Sequence, residues 1–219
     1  MHFHLPKPLH GWREFAGEVG IIVFGVLIAL AAQALVEDLQ WHHKVFVVRQ
    51  ALMGELANDR ARWDADVANV RCSVPDINRL EGWARKGGAT PAPAVANLTS
   101  DGWWFMHSAN WNLATGSQTL DHFPIDQQLA FAALYDGIAH RQIDITKGTD
   151  AVERVQALIP LGGDADAMRQ LRTELGSLRQ SIRDVRFNDA YMKRHFDALG
   201  VKADRSDFAP DLALTHCVF

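Results

Sequence analysis

The longest apolar segment of the chain covers residues 19–36, and Gln33 is its one polar residue. A helix of about 20 mostly apolar residues is enough to cross the hydrocarbon core of a bilayer. Trp12 and Trp41 flank the segment, about 44 Å apart on a helix. That distance matches a bilayer with its headgroup layers, where Trp rings prefer to lie. The pattern predicts a transmembrane helix over residues 18–36, with Trp12 and Trp41 as interfacial anchors.

Two other interpretations of this segment stay open. Residues 29–31 and 32–34 both have the small-x-small pattern of a signal-peptide cleavage site. A buried core helix of a soluble protein is the second alternative. Against a cleaved signal, the apolar run is longer than usual, and the acidic residues Glu14 and Glu18 precede its core. We therefore expect a retained signal anchor.

Small residues share one face of the predicted membrane helix. Gly25, Ala29, Ala32 and Gln33 fall within an arc of about 100°. Small side chains let a second helix approach closely, and a glutamine can donate a hydrogen bond across the contact. The alternative is that they simply reflect an alanine-rich composition. We expect lipid on the other faces and another transmembrane helix here, in a homo-oligomer or a larger membrane complex.

Apolar residues continue at helical spacing beyond the membrane segment. Between Glu37 and Arg71 there is no proline, and the stripe consists of Trp41, Val45, Val48, Leu52, Leu56, Trp63, Val67 and Val70. This predicts that the membrane helix continues to about Arg71. Ser73-Val-Pro-Asp76 has the residues of a helix N-terminus, so a second helix is predicted from there to Gly87-Gly88.

The second half of the chain predicts further helices. Pro124 opens one with the stripe Ile125, Leu129, Ala132, Tyr135 and Ile138, ending at Gly148, and a shorter helix follows from Thr149. Asp164 caps the last long helix, whose apolar seam is Met168, Leu171, Leu175, Leu178, Ile182 and Val185. The seam fits an ordinary bundle helix better than a dimeric coiled coil.

Together these patterns predict an all-α protein, with a single N-terminal transmembrane helix that continues into an antiparallel helical bundle. The predicted organisation is a short interfacial or cytoplasmic tail (1–17), the transmembrane helix (18–36), an extramembrane bundle (37–200) and a C-terminal tail (201–219).

Cysteines and aromatic residues supply two candidate features. Cys72 and Cys217 are the two cysteines of the chain, and a bond between them would tie the tail to the end of the first helix. Trp103, Trp104 and Trp111 belong to the densest aromatic cluster. Such a cluster either lines a ligand pocket or plugs the end of a bundle, and the plug is the commoner case.

The net charge and the lack of catalytic motifs argue against several classes of function. The formal net charge of −4 over 219 residues argues against nucleic-acid binding, which needs a basic surface. The sequence has no nucleophile-elbow, zinc-protease, Cys-x-x-Cys or phosphate-loop motif. We therefore expect no enzymatic activity, no cofactor and no metal site.

The sequence only weakly indicates on which side of the membrane each end of the predicted transmembrane helix lies. Lys7 and Arg13 precede the apolar segment, and Lys44 and Arg49 follow it, so the positive-inside count is tied. We favour a cytoplasmic N-terminus and a bundle outside, which in a bacterial inner membrane means the periplasm.

The sequence from Gly17 to Leu30 resembles the anchor of a group of uncharacterised bacterial single-pass membrane proteins. Their anchors begin with Gly-Glu and end with Ile-Ala-Leu, as at Gly17-Glu18 and 28–30 here. Trp111 to Gly116 and Leu134-Tyr135 are similar to patterns in their outer domain. The resemblance implies a membrane anchor followed by a long helix and carries no assigned activity.

The predicted function is a membrane-anchored, non-enzymatic interaction or accessory subunit of a membrane or periplasmic complex. The alternative is a periplasmic ligand-sensing bundle that acts through a partner.

Overall fold

The computed structural model describes residues 11–98 and 105–206, and within these ranges every regular element is helical. The elements are α1 (Trp12–Arg85), α2 (Ala109–Gly116), α3 (Ile125–Leu158) and α4 (Ala165–Ala198). Short 3₁₀ turns cover Thr119–His122 and Ile159–Leu161. The predicted all-α bundle is confirmed.

The chain divides into two compact units between Val47 and Val48. The described part of the first unit is the beginning of α1, whose apolar side chains are exposed except for the half-buried Trp41 and Val45. Within residues 11–98 and 105–206, α1 is the helix that is long and apolar enough to cross a membrane, and its apolar window has no buried residue.

The predicted helix start at Ser73 is wrong, because α1 continues through this point with Pro75 inside it. The Ser73 hydroxyl does not cap a helix. It donates to the Asn69 carbonyl (3.0 Å) and to the Asn97 carbonyl (2.9 Å). The fully buried Asp76 accepts a hydrogen bond from the Asn97 N–H (2.8 Å). These tertiary bonds and the burial of this face outweigh the loss of one helical hydrogen bond at proline.

The predicted end of the second helix, at Gly87-Gly88, is confirmed as the end of the longer helix α1, whereas the predicted end of the first helix near Arg71 is wrong. The helix stops at Arg85 and two glycines with positive φ follow, Gly87 (+83°) and Gly88 (+64°). A Cβ atom at Gly88 would lie 2.6 Å from Met168 Sδ. Glycine is therefore required at Gly88 both by its backbone conformation and by close packing against α4.

Helix α4 runs antiparallel to α1 in the second unit. Trp63 Nε1 donates to Asp189 Oδ1 (3.0 Å). Further along α1, Glu81 pairs with Arg179, which lies earlier in α4 (Nε to Oε1, 2.6 Å). Between these two contacts the residue numbers rise along α1 and fall along α4, so the two helices run in opposite directions.

Helix α3 runs parallel to α1, because the connection between them returns along α1 before α3 begins. Asn97 lies beside Asp76, and His107 then lies beside Asp59, where its backbone N–H donates to the carboxylate (2.9 Å). The described part of this crossover, residues 86–98 and 105–108, contains no regular helix. The described bundle thus consists of three long helices, this crossover and the short helix α2, whose Asn110 lies beside α1.

Two predictions for α3 are wrong. The helix does not end at Gly148 but continues to Leu158 with Gly148 buried, and the Thr149 hydroxyl donates back to the Ile145 carbonyl (3.0 Å). Tyr135 and Ile138 are buried as predicted, whereas Ile125, Leu129 and Ala132 are exposed. The buried stripe begins instead at Phe131 and Leu134, and the Phe131 ring packs edge-on against Phe123, with ring centres 6.0 Å apart.

Helix α4 matches its prediction closely. Asp164 accepts a hydrogen bond from the Ala167 N–H (2.8 Å) and caps the N-terminus. The whole predicted seam is buried: Met168, Leu171, Leu175, Leu178, Ile182 and Val185. Regular three- and four-residue spacing made this the clearest helix in the sequence.

Candidate functional site

The predicted membrane face lies on the exposed surface of α1. Gly25, Ala29, Ala32 and Gln33 are all exposed, and a Cβ atom at Gly25 would meet nothing within 4 Å. Gln33 Nε2 donates to Glu37 Oε1 (3.0 Å) within the same helix. The predicted contact with a second helix stays a prediction.

The two predicted interfacial tryptophans are placed differently. Trp12 is 78% exposed and its ring centre lies 6.0 Å from that of Phe15. Trp41 is half-buried, and Lys44 Nζ lies 4.3 Å from the centre of its ring. Trp41 and its neighbouring cation have the amphipathic character of an interfacial residue.

The predicted aromatic cluster and the predicted disulfide are described in part. Trp103, Trp104 and Cys217 lie outside the described residues. Trp111 is half-buried and stacks on Tyr135, with ring centres 4.7 Å apart and planes inclined by 13°. Cys72 is disulfide-bonded. The identity of its partner as Cys217 stays a prediction.

Behind the Trp111–Tyr135 stack is a buried pair of carboxylates, Glu55 and Asp59, which we call the acid pair. Glu55 is 9% exposed. Its Oε1 accepts from the Tyr135 hydroxyl (2.7 Å) and its Oε2 from the Asn110 N–H (2.9 Å). Burial and the adjacent Glu55 carboxylate raise the pKa of the Tyr135 phenol, so it remains a donor. Glu55 thus joins α1 to α2 and α3.

Asp59, the second member of the acid pair, has no exposed surface. Its Oδ1 accepts from the His107 N–H (2.9 Å) and from Arg62 Nη1 (3.2 Å). Its Oδ2 is buried with no hydrogen-bond partner among residues 11–98 and 105–206. Burial disfavours the charged form and raises the pKa of Asp59 to about 7, even though the His107 and Arg62 contacts oppose the shift.

A buried ion pair lies further along α1. Arg141 Nη2 donates to Asp66 Oδ2 (2.9 Å), and the two side chains are 3% and 0% exposed. The Arg141 guanidinium carbon lies 5.8 Å from the centre of the Trp63 ring. This arrangement joins α1 to α3 in the interior, where loss of either partner would leave an uncompensated charge.

These buried charges were not predicted, although the sequence contained a signal for them. Glu55, Asp59 and Asp66 lie at three- and four-residue steps from Leu52, Trp63 and their neighbours, on the stripe predicted to be buried. Acidic residues on an apolar face are seldom buried without a partner. Their position therefore indicated buried polar contacts, but their partners come from distant parts of the chain.

Outside the buried ion pair, a cleft of about 450 Å³ opens between α3 and α4. We call it the α3–α4 cleft. Trp63, Val185 and Met192 form its apolar interior, and each is at most 1% exposed. Its polar lining includes Asp136, His140, Asp144, Lys147, Asp184 and Tyr191.

The acid pair and the α3–α4 cleft differ in whether they have room for a ligand. The acid pair is occupied by groups of the chain itself, and it holds residues 107–110 against α1. The α3–α4 cleft is open and lined by side chains from both helices. In the described part of the chain, no group of three or more His, Cys, Asp or Glu side chains could hold a metal ion.

Comparisons with protein-family models, with curated proteins and with solved structures found no match to this chain. The resemblance to single-pass bacterial anchors accordingly stays a prediction.

Proposed function

We propose that the protein is a membrane-anchored, non-enzymatic interaction or accessory subunit. The observation that carries this proposal is the exposure of large apolar side chains around the first part of α1. Ile21, Phe24, Leu27 and Leu30 are each more than half exposed. Apolar surface of this extent is unfavourable in water and is normally covered by lipid or protein.

The proposed location is a bacterial inner membrane, crossed once, with the bundle in the periplasm. The disulfide at Cys72 supports this side of the membrane, because disulfides persist in oxidising compartments and are rare in the cytosol. The tied count of basic residues does not oppose it.

The proposed partner is another transmembrane helix, which packs against Gly25, Ala29, Ala32 and Gln33. A Cβ atom placed at Gly25 would have no other atom within 4 Å, so the surface there has room for the close backbone approach that small residues permit. Gln33 would exchange its bond to Glu37 for one across the contact. Lipid covers the remaining faces.

Gentle detergent purification followed by mass spectrometry of co-eluting proteins tests this function. We expect the chain to elute in a complex, either with copies of itself or with another membrane protein. Elution as a solitary monomer from several mild detergents would contradict the proposal.

A second function is favoured by the α3–α4 cleft. A cleft of about 450 Å³ falls within the usual size of small-molecule sites. In this function the bundle senses a periplasmic ligand and a membrane partner carries the signal. Ligand-dependent change in the co-purified complex distinguishes it from a purely structural subunit.

A further inference from the structure

We propose that the α3–α4 cleft binds a small organic cation, in which an ammonium group is attached to an apolar body. This inference deepens the ligand-sensing function and does not depend on the membrane partner. It stands on the shape of the cleft, its apolar interior and the excess of carboxylates around its opening.

The apolar interior is made by three helices. Trp63 of α1 forms part of the base, and Val185 and Met192 of α4 lie beside it. Gly137 of α3 is in close contact with α4, since a Cβ atom there would lie 2.7 Å from Met192 Sδ and 3.6 Å from Tyr191 Cε1. The close approach of α3 and α4 at Gly137 bounds the cleft beside these residues. The apolar surface of the cleft that a ligand can cover is that of Ile143 of α3, which is 55% exposed, and of the Tyr191 ring.

The polar lining is predominantly acidic. Asp136 and Asp144 of α3 and Asp184 of α4 contribute three carboxylates, against which Lys147 supplies one exposed ammonium group. Arg141 also lines the cleft, but it is 3% exposed and forms an ion pair with Asp66. The charge available to a ligand is therefore net negative.

Individual contacts orient these carboxylates. Asp184 Oδ1 accepts a hydrogen bond from Gln180 Nε2 (2.8 Å). Asp136 Oδ1 lies 3.7 Å from His140 Nδ1, and both side chains are largely exposed. Tyr191 adds a partly exposed aromatic ring, which favours a nearby cation.

These features select the ligand class. An ammonium group would be attracted by carboxylates on both helices, while its apolar body would cover the exposed Ile143 side chain and the Tyr191 ring. An anion of the same size would face three carboxylates. A neutral analogue would keep the apolar contact and lose the electrostatic attraction.

The test uses the full-length protein in mild detergent and three compounds with the same phenyl body. These are phenethylamine (cation), 2-phenylethanol (neutral) and 3-phenylpropionate (anion), titrated by isothermal calorimetry and by saturation-transfer NMR. We expect phenethylamine to bind most tightly. Absence of phenethylamine binding up to about 10 mM, a range that covers very weak sites, or equal binding of 3-phenylpropionate overturns the proposal.

A matched set of variants locates the binding. Replacement of both carboxylates in Asp144→Asn/Asp184→Asn should weaken phenethylamine binding about tenfold, because two partly exposed charge contacts are lost. Glu153→Gln removes a charge from an exposed position of α3 outside the cleft, and it should bind as the wild type does. Circular dichroism melting verifies that each variant is folded.

Equal affinity of the double variant and the wild type contradicts the proposal. If phenethylamine binds in the cleft but leaves the co-purified complex unchanged, the site stands and the sensing function fails. If phenethylamine does not bind, the site fails and the interaction-subunit function is unaffected.

Discussion

The hydroxyl group of Tyr135 donates a 2.7 Å hydrogen bond to Glu55, although the two residues are 80 positions apart. Both side chains are buried, and the Tyr135 ring also stacks on Trp111. This bond fixes the register between the parallel helices α1 and α3. It also places the beginning of α2 beside α1, because the Asn110 N–H donates to the same carboxylate.

Tyr135→Phe should lower the free energy of unfolding by about 1–3 kcal/mol, since it leaves a buried carboxylate oxygen without its donor. Chemical denaturation in detergent, followed by circular dichroism, measures the change. Tyr191→Phe is the matched control. Tyr191 is 38% exposed, so removal of its hydroxyl should change stability by less than about 0.5 kcal/mol. Equal effects of the two variants would show that the Glu55 bond is unimportant.

Asp59→Asn should remove a specific pH dependence of stability. The folded-state pKa of about 7 lies above the ordinary aspartate pKa of 3.8, so between these two pH values the folded protein holds a proton that the unfolded chain releases. The Asp59 contribution is fully present below about pH 4. It is lost as pH rises to about 7, at up to about 1.4 kcal/mol per pH unit, and the stability no longer changes through Asp59 above that.

Chemical denaturation of the wild type and of Asp59→Asn from pH 4 to 8.5 measures this pH dependence of stability. The wild type should lose stability relative to Asp59→Asn as the pH rises, and the difference should level off above about pH 7. Asp150→Asn, at an exposed position of α3, should follow the wild-type profile. Parallel profiles for wild type and Asp59→Asn would exclude the proposed protonation.

The Asp66–Arg141 pair should show strong coupling. Arg141→Met alone leaves the Asp66 carboxylate buried without its arginine and should cost about 3–5 kcal/mol, as should Asp66→Leu. The double variant Asp66→Leu/Arg141→Met removes both charges and should be clearly more stable than either single variant. Additive losses in a double-mutant cycle would refute the coupling.

The disulfide partner of Cys72 can be identified by a similar cycle. If Cys72 and Cys217 are bonded, Cys72→Ser and Cys217→Ser remove the same crosslink and should each cost about 2–4 kcal/mol. The double variant should cost no more than either one. A stable Cys217→Ser protein in which Cys72 remains resistant to thiol alkylation would assign a different partner.

Periodic apolar residues predicted much of the fold. In α4, the regular seam and the Asp164 cap agree, because local and tertiary preferences favour the same helix. At Ser73 and Gly148 the local signals favour a break, but both residues are buried in continuous helices. There the packing of distant segments overrides local propensity.

The candidate site was harder to predict from the sequence than the fold. Glu55 and Asp59 were visible as acids on an apolar stripe, but Tyr135, Asn110 and His107 reach them only through the fold. The α3–α4 cleft likewise requires the opposed directions of α3 and α4. The direction of α3 depends on the crossover over residues 86–108, whose described part contains no regular helix to reveal its course.

We propose that the face of α1 formed by Gly25, Ala29, Ala32 and Gln33 contacts another transmembrane helix. The most direct measurement compares Gly25→Leu and Ala29→Leu with Gly20→Leu and Ala34→Leu, which make the same substitutions about 140–220° around the helix. A Cβ atom at either Gly20 or Gly25 meets nothing within 4 Å, so the isolated chain has space for both leucines.

The readout is the amount of partner, or of second copy, that co-purifies with each variant in mild detergent at equal membrane expression. We expect Gly25→Leu and Ala29→Leu to lose most of the associated protein, while Gly20→Leu and Ala34→Leu retain it. Equal retention by all four variants, or a wild-type protein that elutes alone, would show that this face of α1 makes no such contact.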